Sequence, residues 1–148
     1  MSVDVLVETT IARPREEVAG FAGDPTNAPR WYANIKSVAW VTPPPMALGS
    51  RMTFVAQFLG KRLEYTYEIV DLVPGSRLVM RTAQGPFPME TTYTWESRPE
   101  GTHMTLRNRG EPSGFSRLVA PMMTLAMRRA TTQDLARLKA VLEDAPIS

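Results

Sequence analysis

The chain has 148 residues, 43% hydrophobic and 22% charged, with a formal net charge of +2. That is enough chain for a hydrophobic core without staples, and too little net charge to argue for nucleic acid. With no cysteine and one histidine, His103, the composition excludes disulfides, thiolate zinc sites and histidine metal clusters, so neither metal nor cofactor is expected.

The opening MSVDVLVETTIARP has no basic segment before an apolar run, and no stretch reaches the roughly eighteen apolar residues that cross a bilayer. The expectation is one domain over residues 1–148 of a cytoplasmic protein, monomer or homodimer, without membrane insertion. Val3, Val5, Val7 and Thr9 alternate with Asp4, Leu6, Glu8 and Thr10, which predicts a strand ending near Ile11. Pro14 opens PREEVAGFAG, where acidic residues follow and glycines close, the signals of a short helix. Asp24 is placed to cap a second short helix through PTNAPRWY, closed by Trp31 and Tyr32. From Ile35 the texture turns to β. IKSVAWVT, SRMTFVAQFLG, KRLEYTYEIVDL, SRLVMRTAQ, PMETTYTWES and THMTLRNRG alternate between turns of Gly, Pro and Ser. TPPPMALG reads as a stiff connection, since consecutive prolines favour an extended chain, with a loop at a pocket mouth as the alternative. AQGPFP is a second proline-bounded loop, carrying Phe87. After EPSG, helical spacing runs through FSRLVAPMMTLAMRRATTQDLARLKAVLED, roughly 40 Å at about 1.5 Å per residue. Pro121 within it predicts a kink or a later start.

One strand, two short helices, about six antiparallel strands and a long helix make an α+β plan with the helices on one side. A sheet of about seven strands twists and curls, and the long helix is the element able to cover its hollow face. A cavity is natural there. The motifs VETTIARPREEVAGFAGDPTNAPRW, LGSRMTF, YEIVDLVPGSRLVMRT and GPFPMETTYTWESRPEGTHMTL resemble the START-like, pollen-allergen-like helix-grip superfamily (SRPBCC). Within it they look like the polyketide cyclase/dehydrase and lipid-transport branch. The resemblance covers nearly the whole chain and implies a helix-grip fold with an internal cavity. It implies less about activity, because lipid carriers, hormone receptors and cyclases share that fold.

Alternation sorts the strand side chains by face. Val38, Trp40, Met52, Phe54, Ala56 and Phe58 point to the hollow, as do Leu63, Tyr65, Tyr67 and Ile69. Leu78, Met80, Met89, Thr91, Tyr93, Trp95, Met104, Leu106 and Asn108 join them. Glu64, Glu68, Glu90, Glu96, His103, Arg107 and Arg109 fall outside. Such an inner face is solid core in most proteins. Here three tyrosines and an asparagine need partners if buried, which a partly wet pocket supplies more readily. On the helix, Phe115, Leu118, Val119, Met122, Leu125 and Ala126 form one stripe, and Leu135, Leu138 and Leu142 a second, rotated from it. Met122, Leu125 and Ala126 are expected to roof the pocket. The candidate ligand contacts are these three with Trp40, Phe54, Phe58, Tyr65, Tyr67, Met80, Phe87, Met89, Tyr93, Trp95, Met104 and Asn108. Arg128 and Arg129 read as a solvated face, with a bend toward the cavity as the alternative.

General acid–base work needs a group tunable to near neutrality, usually His, Asp or Glu. Alternation puts His103 and the strand glutamates outside, and Asp71 turns inward only if its strand stays regular. For aromatic polyketide cyclases the resemblance implies an interior arginine near the sheet centre. The matching positions here are Tyr65, Tyr67 and Ile69. The phenols of Tyr65, Tyr67 and Tyr93 remain as candidate catalytic groups, able to orient a polyketide and protonate an enolate. Three classes stay open. The leading one is a carrier or sensor of a small hydrophobic molecule, whether polyketide, lipid or aromatic metabolite. The second is a polyketide cyclase or dehydratase that folds its substrate, and the third an interaction module with a collapsed pocket. A pocket of roughly several hundred cubic ångströms, without inward acid, base or arginine, would mark the first.

Overall fold

In β1 (Val3–Ile11), Val3, Val5 and Ile11 are buried while Asp4 and Leu6 are exposed, as the period of two requires. The computed structural model describes residues 3–58, 60–84, 88–110 and 120–144, apart from the side chains of Phe58 and Ala120. α1 (Arg15–Ala22) starts behind Pro14, with Glu16 and Glu17 in the first turn, where the helix dipole favours acid. Asp24 accepts the Thr26 backbone N–H at 3.0 Å and so caps the 3-10 turn Pro25–Asn27 that leads into α2 (Ala28–Trp31). Next come β2 (Ile35–Trp40), β3 (Arg51–Phe58), β4 (Lys61–Val73), β5 (Arg77–Gln84), β6 (Met89–Arg98) and β7 (Gly101–Gly110). α3 (Ala120–Glu143) follows, with Pro121 in its first turn, where a missing N–H breaks no bond.

The strands form one antiparallel sheet in the order β1-β7-β6-β5-β4-β3-β2, so α1 and α2 carry the chain from one edge to the other. The register shifts between Ile35 and Ser37 on β2, and at Thr66/Tyr67 and Ile69/Asp71 on β4. Extra residues of this kind bend and twist a strand, and they help curl the sheet into a half barrel around α3. This is the helix-grip arrangement. The second shift on β4 also answers for Asp71. Because the strand is not regular there, Asp71 does not turn inward, and it pairs with Arg77 at 2.6 Å. On the outer face, Arg107 pairs with Asp4, Arg51 with Glu68, and both Arg81 and Arg109 with Glu90. His103 lies on that face too, 3.7 Å from Glu8.

α3 packs along β1 and against α2. Its buried side chains, Met123, Met127, Thr131, Asp134, Leu135, Leu138 and Leu142, recur every three or four residues as a single stripe. The expected roof is therefore wrong by one position. Met122 is 69% exposed and Leu125 60%. Running the Leu135–Leu138–Leu142 stripe back at about 3.6 residues per turn lands on Met127 and Met123. Phe115, Leu118 and Val119 lie outside the described residues. The C-terminal end of α3 is tied to β1 and the residues after it. Arg13 Nε donates to the Leu142 carbonyl at 2.8 Å, Lys139 Nζ to the Thr10 carbonyl at 2.5 Å, and the Ala12 N–H to Glu143 at 2.9 Å.

Candidate functional site

Sheet and helix do not meet everywhere. Between Phe54, Tyr65, Tyr67 and Met80 on one side and Met123 and Met127 on the other lies a cavity of about 140 Å³. Ala56, Leu63, Met89, Thr91, Tyr93 and Asn108 complete its sheet wall. Ala130, Thr131 and Asp134 complete the helix wall, with Tyr32, Asn34 and Ile35 contributed by the segment after α2. Phe54 meets Tyr67 edge-on at 5.3 Å between ring centroids, and Tyr65 leans on Tyr67 at 5.9 Å. These rings make one flank an aromatic wall.

The polar groups gather elsewhere. The hydroxyls of Tyr32 and Tyr93 are 2.6 Å apart, and Asp134 accepts the backbone N–H of Ala33 at 3.1 Å. Asp134 thus holds in place the segment that carries Tyr32. Thr91 donates to Asn108 Oδ1 at 2.7 Å, which satisfies the Thr91 proton and the Asn108 carbonyl oxygen inside the wall. Burial raises the pKa of Tyr32, Tyr65, Tyr67 and Tyr93, with the Thr91 hydroxyl working against it at Tyr67 and the Tyr32 hydroxyl at Tyr93. All four remain O–H donors at physiological pH. Within the Tyr32–Tyr93 pair one hydroxyl donates to the other, which leaves one proton for a further acceptor. Asp134 is 4% exposed, and burial raises its carboxyl from 3.8 to about 6, partly offset by the Ala33 N–H and by Arg137. A carboxyl poised there can give or take a proton near neutral pH.

Of the contacts expected from sequence, Phe54, Tyr65, Tyr67, Met80, Met89, Tyr93 and Asn108 stand in the cavity wall. Trp40 and Trp95 do not. They line a second hollow of about 610 Å³ beside α1, together with Pro44, Pro45 and Met46 of the proline loop. Met104 is core, fully buried and paired with Trp95 across β6 and β7. Alternation told which face these three share but not how far along the strand they sit. Met122 and Leu125 face solvent, and Ala126 is half-buried outside the cavity wall. Arg128 and Arg129 are exposed, and Arg128 donates to the Leu6 carbonyl at 3.3 Å. Phe87 and the side chain of Phe58 lie outside the described residues. Tyr32, Met123, Met127 and above all Asp134 were not anticipated. The signal for Asp134 is its spacing, three residues after Thr131 and four before Leu138, a carboxylate on the apolar stripe.

Among the described residues no helix is long and apolar enough to cross a membrane, and no cluster of three or more His, Cys, Asp or Glu could hold a metal. A curled sheet gripping one helix around a lined cavity defines the helix-grip class of proteins. The family model described as polyketide cyclase / dehydrase and lipid transport matches residues 2–143, and the chain belongs to that family. Among solved structures it is similar to TTHA0849 of Thermus thermophilus, with TM-score 0.81 and 20% identity over 96% of this chain and 99% of that one. It is similar to the Zhui aromatase/cyclase of a Streptomyces species, with TM-score 0.79 and 15% identity over 97% and 94%. Major latex-like protein 151 of Panax ginseng follows at TM-score 0.71 and 13% identity over 95% and 97%. At these identities the likeness is one of fold. No curated protein sequence matches the chain.

Proposed function

We propose that the chain binds a small, mostly apolar molecule in the cavity between sheet and α3, as a carrier or sensor. What supports this is the make-up of the wall. Phenols, an amide and a carboxyl are built into an apolar space that larger aliphatic side chains would have filled. A buried polar group left unmatched costs roughly 1–3 kcal/mol, whereas a ligand with an apolar body and one polar group uses several at once. Met80, Met89, Met123 and Met127 adapt to the body, since thioether side chains reshape at little strain.

One observation also favours the second reading, a polyketide cyclase or dehydratase. A pocket without inward acid, base or arginine would have marked the carrier, and Asp134 in the wall departs from that. Its near-neutral carboxyl, with the phenols of Tyr32 and Tyr93, suits removal of a proton beside a carbonyl whose oxygen accepts a phenol O–H. Faster deuterium exchange into a 1,3-diketone with wild type than with Asp134→Asn would favour the enzyme over the carrier.

Toluene tests the cavity itself. It should occupy about one site per chain with a dissociation constant below about 1 mM, worth more than about 4 kcal/mol. Ala130→Leu puts a larger side chain into the space and should remove binding while the fold survives by circular dichroism. In a solid core the same change would overpack and destabilise by roughly 1–3 kcal/mol. Absence of a saturable site, or toluene binding that ignores Ala130→Leu, would defeat the proposal.

A further inference from the structure

We infer that the occupant of this cavity is a neutral, single-ring molecule carrying a hydroxyl donor, a phenol in chemical class, and that Asp134 selects it. The inference rests on the binding reading above and adds the size, charge and donor character of the ligand.

Size comes first. A space of about 140 Å³ is close to the roughly 150 Å³ apolar cavity that takes one benzene ring. Fused rings and long acyl chains exceed it and would have to extend through its open side.

Charge comes next. Among the described residues, the wall holds one carboxyl and no Arg, Lys or His. A carboxylate or phosphate ligand would give up its hydration beside Asp134 with no cation to meet it. The described wall therefore disfavours an anion.

Hydrogen-bonding capacity decides the rest. Asp134 Oδ1 takes the Ala33 N–H, which leaves lone pairs on the carboxylate for a further donor. An ionised carboxylate is acceptor-only, so it calls for a ligand donor, and a donor there makes a charge-assisted bond. The Tyr32–Tyr93 pair, within the field of the Asp134 charge, retains one O–H to donate. A phenol answers both demands with one oxygen, which gives its proton to Asp134 and accepts from the tyrosine pair. A protonated amine would satisfy the carboxylate but has no lone pair for the tyrosine. A plain hydrocarbon satisfies neither.

The pH dependence follows from the same groups. Arg137 on α3 is the charged group that acts on Asp134, and the Asp134 charge in turn acts on Tyr32 from the segment after α2 and Tyr93 on β6. A donor from the ligand favours the ionised carboxyl and lowers its pKa on binding. Phenol affinity should then rise as pH increases through about 6.

Titration of p-cresol, toluene, p-toluate and 4-methylbenzylamine at about pH 7.5 tests this. Cresol should bind roughly tenfold tighter than toluene and tighter than the amine, and toluate weaker than toluene. The advantage of cresol should shrink severalfold at about pH 5, where Asp134 is mostly protonated. Asp134→Asn, which keeps the shape, should show the same loss at both pH values. The pH comparison uses wild type alone, so it decides the matter even if the variant misfolds. Toluene binding with no cresol advantage, a pH-independent advantage, toluate tighter than toluene, or the amine as tight as cresol overturns the inference and leaves the cavity reading standing. If neither toluene nor cresol binds, both fall.

Discussion

Asp134 concentrates the conflict between stability and use. A carboxyl held at about 6 in the folded chain, against 3.8 ordinarily, binds its proton more tightly folded than unfolded. Its contribution to stability is thus largest in acid, declines as pH rises from about 4 to 6, and stays reduced above. Asp134→Asn removes that penalty. The variant is expected to be more stable than wild type at about pH 8, by up to roughly 2 kcal/mol, with the gap closing near pH 4. Asp4, Glu90 and Glu143 run the opposite way, because Arg107, Arg109 with Arg81, and Lys139 hold their carboxyls below the usual range. They are common to both proteins, so the difference in thermal midpoints isolates Asp134. A variant less stable at pH 8 would mean that the hydrogen bond to Ala33 outweighs desolvation. The position of Asp134 on the stripe could be read from spacing. Its near-neutral carboxyl could not, because that depends on how closely α3 approaches Ala33, and local sequence does not carry the approach.

At the scale of elements, strands were more legible than helices. Alternation correctly put Leu63 and Tyr65, then Met89, Thr91 and Tyr93, then Met104 and Leu106 on the buried face. A period of two leaves two answers, and the charged residues choose between them. α3 offers a wider choice of faces, and with apolar residues at both 122 and 123 hydrophobicity could not settle its rotation. Depth along a strand is invisible to either pattern, which is why Trp40 and Trp95 were misassigned to the cavity. Also invisible were the long-range ties that seat α3. Arg13 reaches the Leu142 and Glu143 carbonyls, acceptors that the helix end leaves without intrahelical partners. Arg13→Ala should destabilise the protein by about 1–2 kcal/mol in urea unfolding. A change below roughly 0.5 kcal/mol, ordinary for a surface site, would show that α3 is seated by its leucines alone.

For the molecule as a whole, the order of one strand, two short helices, a run of strands and a long helix made an α+β plan legible, and the family resemblance implied the helix-grip arrangement. Neither revealed that the hollow divides into a small cavity under α3 and a separate groove beside α1. Eight of the nine methionines lie among the described residues, and their places report on this division. Met80, Met89, Met123 and Met127 line the cavity, Met46 lines the groove, Met52 and Met104 are core, and Met122 faces solvent. The central claim is that the ligand sits between sheet and helix. Its most direct test is a methyl NMR titration of methionine-labelled protein with toluene. The account predicts saturable shifts at Met80, Met89, Met123 and Met127, with Met46 and Met122 unmoved. Shifts confined to Met46 or Met122, or no shift at saturating toluene, would contradict it.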